Sequence, residues 1–176
     1  MLRRALNSRR YLGTGWFERA QAADHVVYYV GSQALDTPAP VVGHPVPDVV
    51  VQRLAGHPTS IAALRGHPTI LNVWATWCRW CGRELPLIAR FGTQHPHLRV
   101  VALEEYGSRV LVQTWLRSHL AHPAILYDGP GCLSQLYGVD LLPTTVALDT
   151  QGRIRAVVRG YLHGKTDLER LGRATG

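Results

Sequence analysis

The sequence contains few cysteines and no long hydrophobic segment. Its 176 residues include three cysteines, too few for a scaffold held together by disulfides. The longest apolar run near the start, residues 26–30, is far shorter than the ~18 residues that a membrane-spanning helix requires. Composition is otherwise globular, with 46% hydrophobic and 18% charged residues. The length suits one domain with a sizeable core.

Acidic residues are also scarce, and the net charge of the chain is +7. A basic balance is compatible with a nucleic-acid or membrane partner. The basic residues are scattered, however, apart from one N-terminal cluster. No basic patch interleaved with aromatic residues is visible, so we interpret the charge as a solvated surface and expect no nucleic-acid partner.

Residues 1–46 are interpreted as a basic leader and a proline-rich linker that is poorly ordered or extended. The first ten residues hold four arginines and no acid, a composition similar to the charged start of an export signal. No apolar segment follows them. A flexible leader and a remnant of a longer signal both remain open. The linker prolines are Pro38, Pro40, Pro45 and Pro47.

Residues 47–176 alternate between strand and helix patterns, which indicates an α/β domain with a mixed sheet. An N-terminal hairpin is predicted from residues 49–54 and 60–61, and a second hairpin from residues 144–148 and 154–158. The remaining predicted elements are buried strands at 70–74, 98–103 and 124–127 and helices at 78–91, 110–120 and 133–137. A capping box at residues 166–169 predicts the start of a final helix.

The motif that carries chemistry is W-A-T-W-C-R-W-C at residues 74–81, between a buried strand and a helix. The helix N-terminus offers unpaired N–H groups and a partial positive charge, and both favour a thiolate. Arg79 and Arg83 add positive charge, so the pKa of Cys78 is expected to fall. The spacing of three residues brings Cys81 within disulfide reach of Cys78. Zinc would need two further ligands, and no second compact ligand pair is present, so we expect no metal.

Two prolines support a redox interpretation. Pro86 lies five residues after Cys81, inside the predicted helix, where it removes one backbone hydrogen bond. Pro143 opens a later strand in the motif L-P-T-T and is a candidate for a cis peptide bond.

These motifs together resemble those of the TlpA/ResA/CcmG group of thioredoxin-like proteins. The resemblance covers residues 45 to 173 and includes W-A-T-W-C-x-x-C, the later proline, Y-G-V at 137–139 and L-P-T-T. It implies a thioredoxin fold, a mixed central sheet flanked by helices, with a strand–helix insertion before the cis-proline strand. Residues 124–137 fit part of that insertion.

The resemblance also implies roles for individual residues. Cys78 would be the exposed nucleophile and Cys81 the buried resolving thiol. Leu142 and Pro143 would receive an extended substrate segment, with Trp77 beside the disulfide. Asn72 occupies the position of a buried acid in thioredoxin proper, so it would tune the redox pair.

A proton acceptor for Cys81 must then come from elsewhere in the chain. The resemblance places an active-site acid near the end of the 98–103 strand, which is followed by Glu104 and Glu105. Strand alternation points the two side chains to opposite faces. We therefore expect at most one of them near the cysteines and prefer Glu105, the other interpretation being that both are solvated.

The dipeptide between the cysteines departs from the family pattern, which usually has proline before the second cysteine. Arg79 is expected to stabilise the reduced thiolate and move the pair towards the oxidising end. Trp80 could cover the site, contact a partner or pack on a neighbouring loop. The third cysteine, Cys132, follows G-P-G and is interpreted as a small packed residue, the alternatives being a third redox centre and a partner for another chain.

The resulting prediction is a thiol–disulfide oxidoreductase that reduces disulfides in extracytoplasmic proteins, with cytochrome c maturation as one such process. The redox-active Cys78–Cys81 disulfide would serve without any cofactor. The expected partners are a disulfide-containing client and an upstream thiol donor, which could be membrane-bound. The protein is expected to be a monomer. The resemblance implies a periplasmic or membrane-associated location, and a cytoplasmic one stays open. The alternatives are a dithiol oxidant of the same fold and a non-catalytic binding or chaperone module.

Overall fold

The computed structural model describes residues 40–119, 122–128, 133–134, 139 and 141–176, together with the backbone of four short strands in the leader. Those strands form two separate hairpins, β1 (Ala20–Ala22) with β2 (His25–Val27) and β3 (Tyr29–Val30) with β4 (Gln33–Ala34). The arginine cluster at the start of the chain lies outside the described residues, so the interpretation of the leader stays a prediction.

The domain is built on a seven-stranded mixed sheet, and this confirms the predicted α/β class. The strand order is β11-β10-β7-β8-β9-β5-β6. The central strands β7, β8 and β9 run parallel, and β10 and β5 pair antiparallel to them on either side. Hairpins β5–β6 and β10–β11 form the two edges, as predicted. The strands are β5 (Val50–Arg53), β6 (Pro58–Ser60), β7 (Thr69–Trp74), β8 (Arg99–Glu105), β9 (Ala124–Asp128), β10 (Thr144–Leu148) and β11 (Ile154–Arg159).

Three helices contribute side chains to the cores on one face of the sheet. They are α1 (Arg79–Gln94), α2 (Arg109–Ser118) and α3 (Lys165–Ala174). Parallel crossovers from β7 to β8 and from β8 to β9 contain α1 and α2, and crossovers of one hand bring both helices to the same face. The opposite face packs against residues from a short 3₁₀ helix, Ile61–Leu64, and from the segment before β5, which contributes Val46 and Val49.

Backbone hydrogen bonds join Gly43 to Ile154 and Val46 to Gly152, and Val46 is buried. Contacts with the domain are therefore already present at residue 43, within the predicted linker. The start of the last helix differs from the one expected. Helix α3 begins at Lys165 with Gly164 as its N-cap, so the expected capping box at residues 166–169 does not form the helix start.

The segment between β9 and β10 is only partly described. Residues 133–134 are helical, within the helix predicted at 133–137. Cys132 and residues 135–138 lie outside the described residues, so the interpretation of Cys132 stays a prediction. Leu133 is buried against the core on the face opposite the three helices.

Candidate active site

Cys78 and Cys81 form a disulfide at the N-terminus of α1, where the sequence placed them. Their Cα atoms are 5.3 Å apart. Cys78 is the N-cap residue of the helix, and its Sγ accepts a hydrogen bond of 3.2 Å from the Cys81 amide. The same amide is available to a Cys78 thiolate once the disulfide is reduced. A thiolate there also benefits from the positive end of the helix.

The two sulfur-bearing residues differ in exposure, and the difference distinguishes their possible roles. Cys78 is 9% exposed and Cys81 is fully buried. Cys81 lies in an apolar cluster with Trp74, Leu85 and Ala102. Of the two cysteines, only Cys78 retains exposed surface, and the roles of Cys78 as attacking and Cys81 as resolving thiol stay predictions.

A short turn at residues 75–78 connects strand β7 to the helix. Trp74 ends the strand and is fully buried, with its ring 4.8 Å from that of Trp115 on α2. The Cys78 amide donates to the carbonyl of Ala75, which closes the turn. This packing fixes the start of α1 relative to the sheet.

The peptide bond between Leu142 and Pro143 is cis, as the sequence predicts. Leu142 packs partly buried against the cluster that contains both cysteines. The Pro143 carbonyl accepts a 2.8 Å hydrogen bond from the Gly160 amide, which ties the loop before β10 to the end of β11. The structure thus brings Leu142 next to the redox pair.

A buried carboxylate, Glu84, lies one turn after Cys81 on α1. Its Oε1 accepts a 2.8 Å hydrogen bond from Asn72 Nδ2, and its Oε2 accepts one of 2.7 Å from the Leu162 amide. Thr145 Oγ1 donates to the same Oε1 at 3.4 Å. Burial raises the pKa of Glu84 to about 7, against the lowering effect of these hydrogen bonds. Glu84 is therefore able to exchange a proton near neutral pH.

Glu84 was missed in the sequence reasoning, although a signal for it existed. Residues three apart share one face of a helix, and the Cys81 face continues with the fully buried Leu85 and Ile88. An ionisable side chain on such a buried face is expected to have a shifted pKa. Asn72, predicted to tune the pair, contacts Glu84 directly, so its influence on the cysteines would pass through that carboxylate.

Glu104, at the end of β8, is also fully buried and faces the redox motif. It pairs in register with Trp74, and its Oε1 accepts a long hydrogen bond of 3.4 Å from the Thr76 amide. Burial raises the pKa of Glu104 to about 7, partly offset by hydrogen bonds from the Thr76 and Gly107 amides. Gly107 sits so close to Oε1 that an added Cβ would overlap it.

The expected preference for Glu105 is wrong, because Glu104 and not Glu105 lies on the face of β8 that carries the redox motif. Alternation along β8 puts Glu105 on the face of Leu103, opposite the helices. Its Oε1 accepts a 2.9 Å hydrogen bond from the Ser134 amide. Burial, followed by the charge of neighbouring Asp128, raises the pKa of Glu105 well above its ordinary value. The alternative that both glutamates are solvated also fails, because both are fully buried.

Two of the three tryptophans of the motif, Trp77 and Trp80, are exposed on either side of Cys78 in the sequence. Trp77 is 67% exposed and Trp80 is 51% exposed. The Trp80 ring lies 5.4 Å from that of Tyr161 and 5.1 Å from the Arg83 guanidinium carbon. Arg79, between the cysteines, is exposed. Trp80 therefore packs on a neighbouring loop and remains accessible at the same time.

No group of three or more His, Cys, Asp or Glu side chains among the described residues is arranged to hold a metal ion. None of the helices in the described part of the chain has both the length and the apolarity needed to cross a membrane.

Comparison with known proteins agrees with this geometry. The model of the AhpC/TSA family matches residues 42–157. The thiol:disulfide interchange protein DsbE of Yersinia pestis is 39% identical over 130 residues, which cover 71% of this chain and 68% of that protein. The thiol-disulfide oxidoreductase ResA of Geobacillus kaustophilus is 30% identical over 135 residues, with 75% and 76% covered.

Solved structures give the same result. The structure of MTB DsbF in its mixed oxidised and reduced forms superimposes with a TM-score of 0.66 at 26% identity, over 73% of this chain and 95% of that one. A DsbF homologue from Corynebacterium diphtheriae has a TM-score of 0.63 at 26% identity, over 72% and 83%. The mixed sheet and its helices are therefore those of the thioredoxin fold.

Proposed function

Because the chain belongs to the AhpC/TSA family of thioredoxin-fold proteins and is a thiol–disulfide oxidoreductase of the DsbE/ResA type, we propose that it reduces disulfides in extracytoplasmic client proteins. The observation that carries the proposal is the closed Cys78–Cys81 disulfide, in which Cys78 is 9% exposed and Cys81 is fully buried, with the buried carboxylate of Glu84 three residues further along the same helix. The location outside the cytoplasm rests on the family resemblance, as does cytochrome c maturation as the process served.

The reaction proceeds in two exchange steps. The Cys78 thiolate attacks one sulfur of the client disulfide, a Cys78–client bond forms, and the client S–S bond breaks with release of a thiolate. Cys81 then attacks Cys78, which closes the Cys78–Cys81 disulfide and releases the second client thiolate. Two electrons pass from the pair to the client, and an upstream thiol donor returns the pair to its reduced state.

The second step requires Cys81 to lose its proton in an apolar environment. We assign the acceptor role to Glu84, since it lies three residues further along the same helix face and is held by Asn72 and Leu162. A carboxylate with a pKa of about 7 accepts and returns a proton at neutral pH more readily than an ordinary one. Leu142 and Pro143 would hold an extended client segment beside Cys78.

The test uses the reduced full chain and insulin as a disulfide substrate. Cys78→Ser should abolish reduction, and Cys81→Ser should accumulate a mixed disulfide with the client. Cys132→Ser is the matched control for the loss of one thiol, and we expect it to keep its activity. Full activity in Cys78→Ser would refute the proposed function.

One observation favours a second candidate, the same chain acting as a dithiol oxidant. The exposed Arg79 and the amide hydrogen bond to Cys78 Sγ both stabilise a thiolate. A more stable reduced form makes the disulfide more oxidising. The reduction potential of the pair separates the two directions: about −120 mV, as in strong oxidants, would favour the oxidant, and about −270 mV the reductant.

A further inference from the structure

The surface beside Cys78 carries a compact group of cationic and aromatic side chains, which we call the cationic rim: Arg79, Trp80, Arg83 and Tyr161. Trp80 lies between the ring of Tyr161, at 5.4 Å, and the guanidinium carbon of Arg83, at 5.1 Å. Contact with an aromatic face limits the motion of an arginine without neutralising its charge. The guanidinium of Arg83 is thus held on the helix turn that follows Cys78.

Among the described residues, no acidic side chain pairs with the two arginines of the rim; the carboxylate of Asp167 accepts a hydrogen bond from the His163 amide, two residues after Tyr161. Arg79 and Arg83 are both exposed. The acid nearest in sequence, Glu84, is fully buried, where it accepts hydrogen bonds from Asn72 and Leu162. The N-terminus of α1 adds partial positive charge at the same place.

The rim is joined to the loop that carries the cis-proline. Tyr161 lies between two anchored neighbours: the Gly160 amide donates to the Pro143 carbonyl at 2.8 Å, and the Leu162 amide donates to Glu84 at 2.7 Å. These two hydrogen bonds hold the Tyr161 segment between the cis-proline loop and α1. A client segment lying against Pro143 would therefore have the rim at its side.

We propose that the cationic rim selects client segments that carry carboxylates next to the disulfide cysteine. The inference deepens the proposed function and rests on it, because the client disulfide is the one that Cys78 attacks. Carboxylates in the client would face Arg79 and Arg83, and apolar parts of the segment would contact the exposed half of Trp80. Charge complementarity of this kind raises association rates and disfavours basic segments.

The test compares two synthetic peptides with the same intramolecular disulfide, one with aspartate and one with lysine at the two positions flanking the attacked cysteine. The second-order rate constant for oxidation of the reduced protein is measured with each peptide, and their ratio is the readout. We expect the acidic peptide to react at least about fivefold faster at low ionic strength, with the ratio falling as salt screens the charges.

Two variants on the same helix separate selectivity from general reactivity. Arg83→Gln should bring the ratio closer to one. Arg90→Gln, an equal loss of charge two turns further along α1, should leave the ratio as in the wild type. A change in the pKa of Cys78 alters the rate constants for both peptides by the same factor, so it does not change their ratio. A difference in intrinsic reactivity between the two peptides is the same for every protein variant, so it does not affect the comparison of ratios between variants.

The outcomes that overturn the inference differ from those that overturn the function. Equal rates with both peptides, a preference for lysine, or the same ratio in Arg83→Gln and the wild type would refute the selectivity of the rim and leave the reductase function standing. If neither peptide were reduced, nor insulin, the proposed function would fail and the inference with it.

Discussion

Replacing Glu84 by glutamine should remove a measurable part of the pH dependence of stability. In the folded protein with its disulfide closed, the pKa of Glu84 is about 7, compared with 4.5 for an ordinary glutamate. Between these values the folded state holds a proton that the unfolded chain has released. The free energy of unfolding therefore falls as the pH rises through this window. The difference of about 2.5 in pKa corresponds to about 3 kcal/mol, of which about 2.5 kcal/mol falls between pH 5 and pH 8.

The glutamine side chain is neutral throughout this range. The free energy of unfolding of the variant should therefore fall by about 2.5 kcal/mol less than that of the wild type between pH 5 and pH 8. A side-chain amide offers only one acceptor oxygen to the donors of Asn72 and Leu162, and the lost hydrogen bond lowers stability by about 1–3 kcal/mol at every pH. This loss is the same at both pH values, so the change in the free energy of unfolding between pH 5 and pH 8 reports the titration of Glu84 alone.

Urea unfolding of the oxidised proteins at the two pH values provides the measurement. Glu169→Gln is the matched control, because Glu169 lies in a surface ion pair with Lys165, and its loss should leave the pH dependence within about 0.5 kcal/mol of the wild type. If Glu84→Gln and the wild type lose the same stability between pH 5 and pH 8, the buried, proton-exchanging state of Glu84 is refuted.

Three further changes test the remaining contacts. Gly107→Ala should lower the free energy of unfolding by about 1–3 kcal/mol, because the new Cβ would overlap Glu104 Oε1; unchanged urea midpoints would contradict this packing. Asn72→Asp puts a second carboxyl beside Glu84, so NMR titration should show one of the two carboxyls still protonated well above pH 7; two ordinary pKa values would exclude the contact. Arg79→Gln should lower the reduction potential by roughly 5–20 mV, since it removes an exposed positive charge beside the thiolate; an equal or higher potential would contradict that effect.

Much of the fold and the reactive pair could be predicted from local patterns. The buried strand before W-A-T-W-C-R-W-C and the helix after it are properties of contiguous residues, and the spacing of the two cysteines fixes their distance on a helix. The cis bond before Pro143 could be named only as a candidate, because X–Pro bonds are almost the only ones that adopt the cis form, and the structure confirms it. Roles beyond this pairing, including those of Trp77 and Leu142, stay predictions that mutagenesis must test.

The acids show where local patterns were insufficient. Alternation along β8 separates Glu104 from Glu105 but does not say which face receives α1 and α2. That choice depends on the pairing of β8 with β7, where Glu104 stands beside Trp74. The preference for Glu105 failed for this reason.

The sequence alone thus identified the Cys78–Cys81 pair and placed it at the start of a helix, because both properties depend on neighbouring residues. The environment of the pair depends on residues distant in the chain. Glu84 acquires its raised pKa only when folding buries it, and the hydrogen bonds from Asn72, Thr145 and Leu162, which come from β7, β10 and the segment after β11, partly offset that rise. Likewise, the cationic rim exists because folding brings Tyr161 against Trp80. The burial of Glu84 and the arrangement of the cationic rim both depend on segments that are far apart in the sequence, so neither can be deduced from one segment alone.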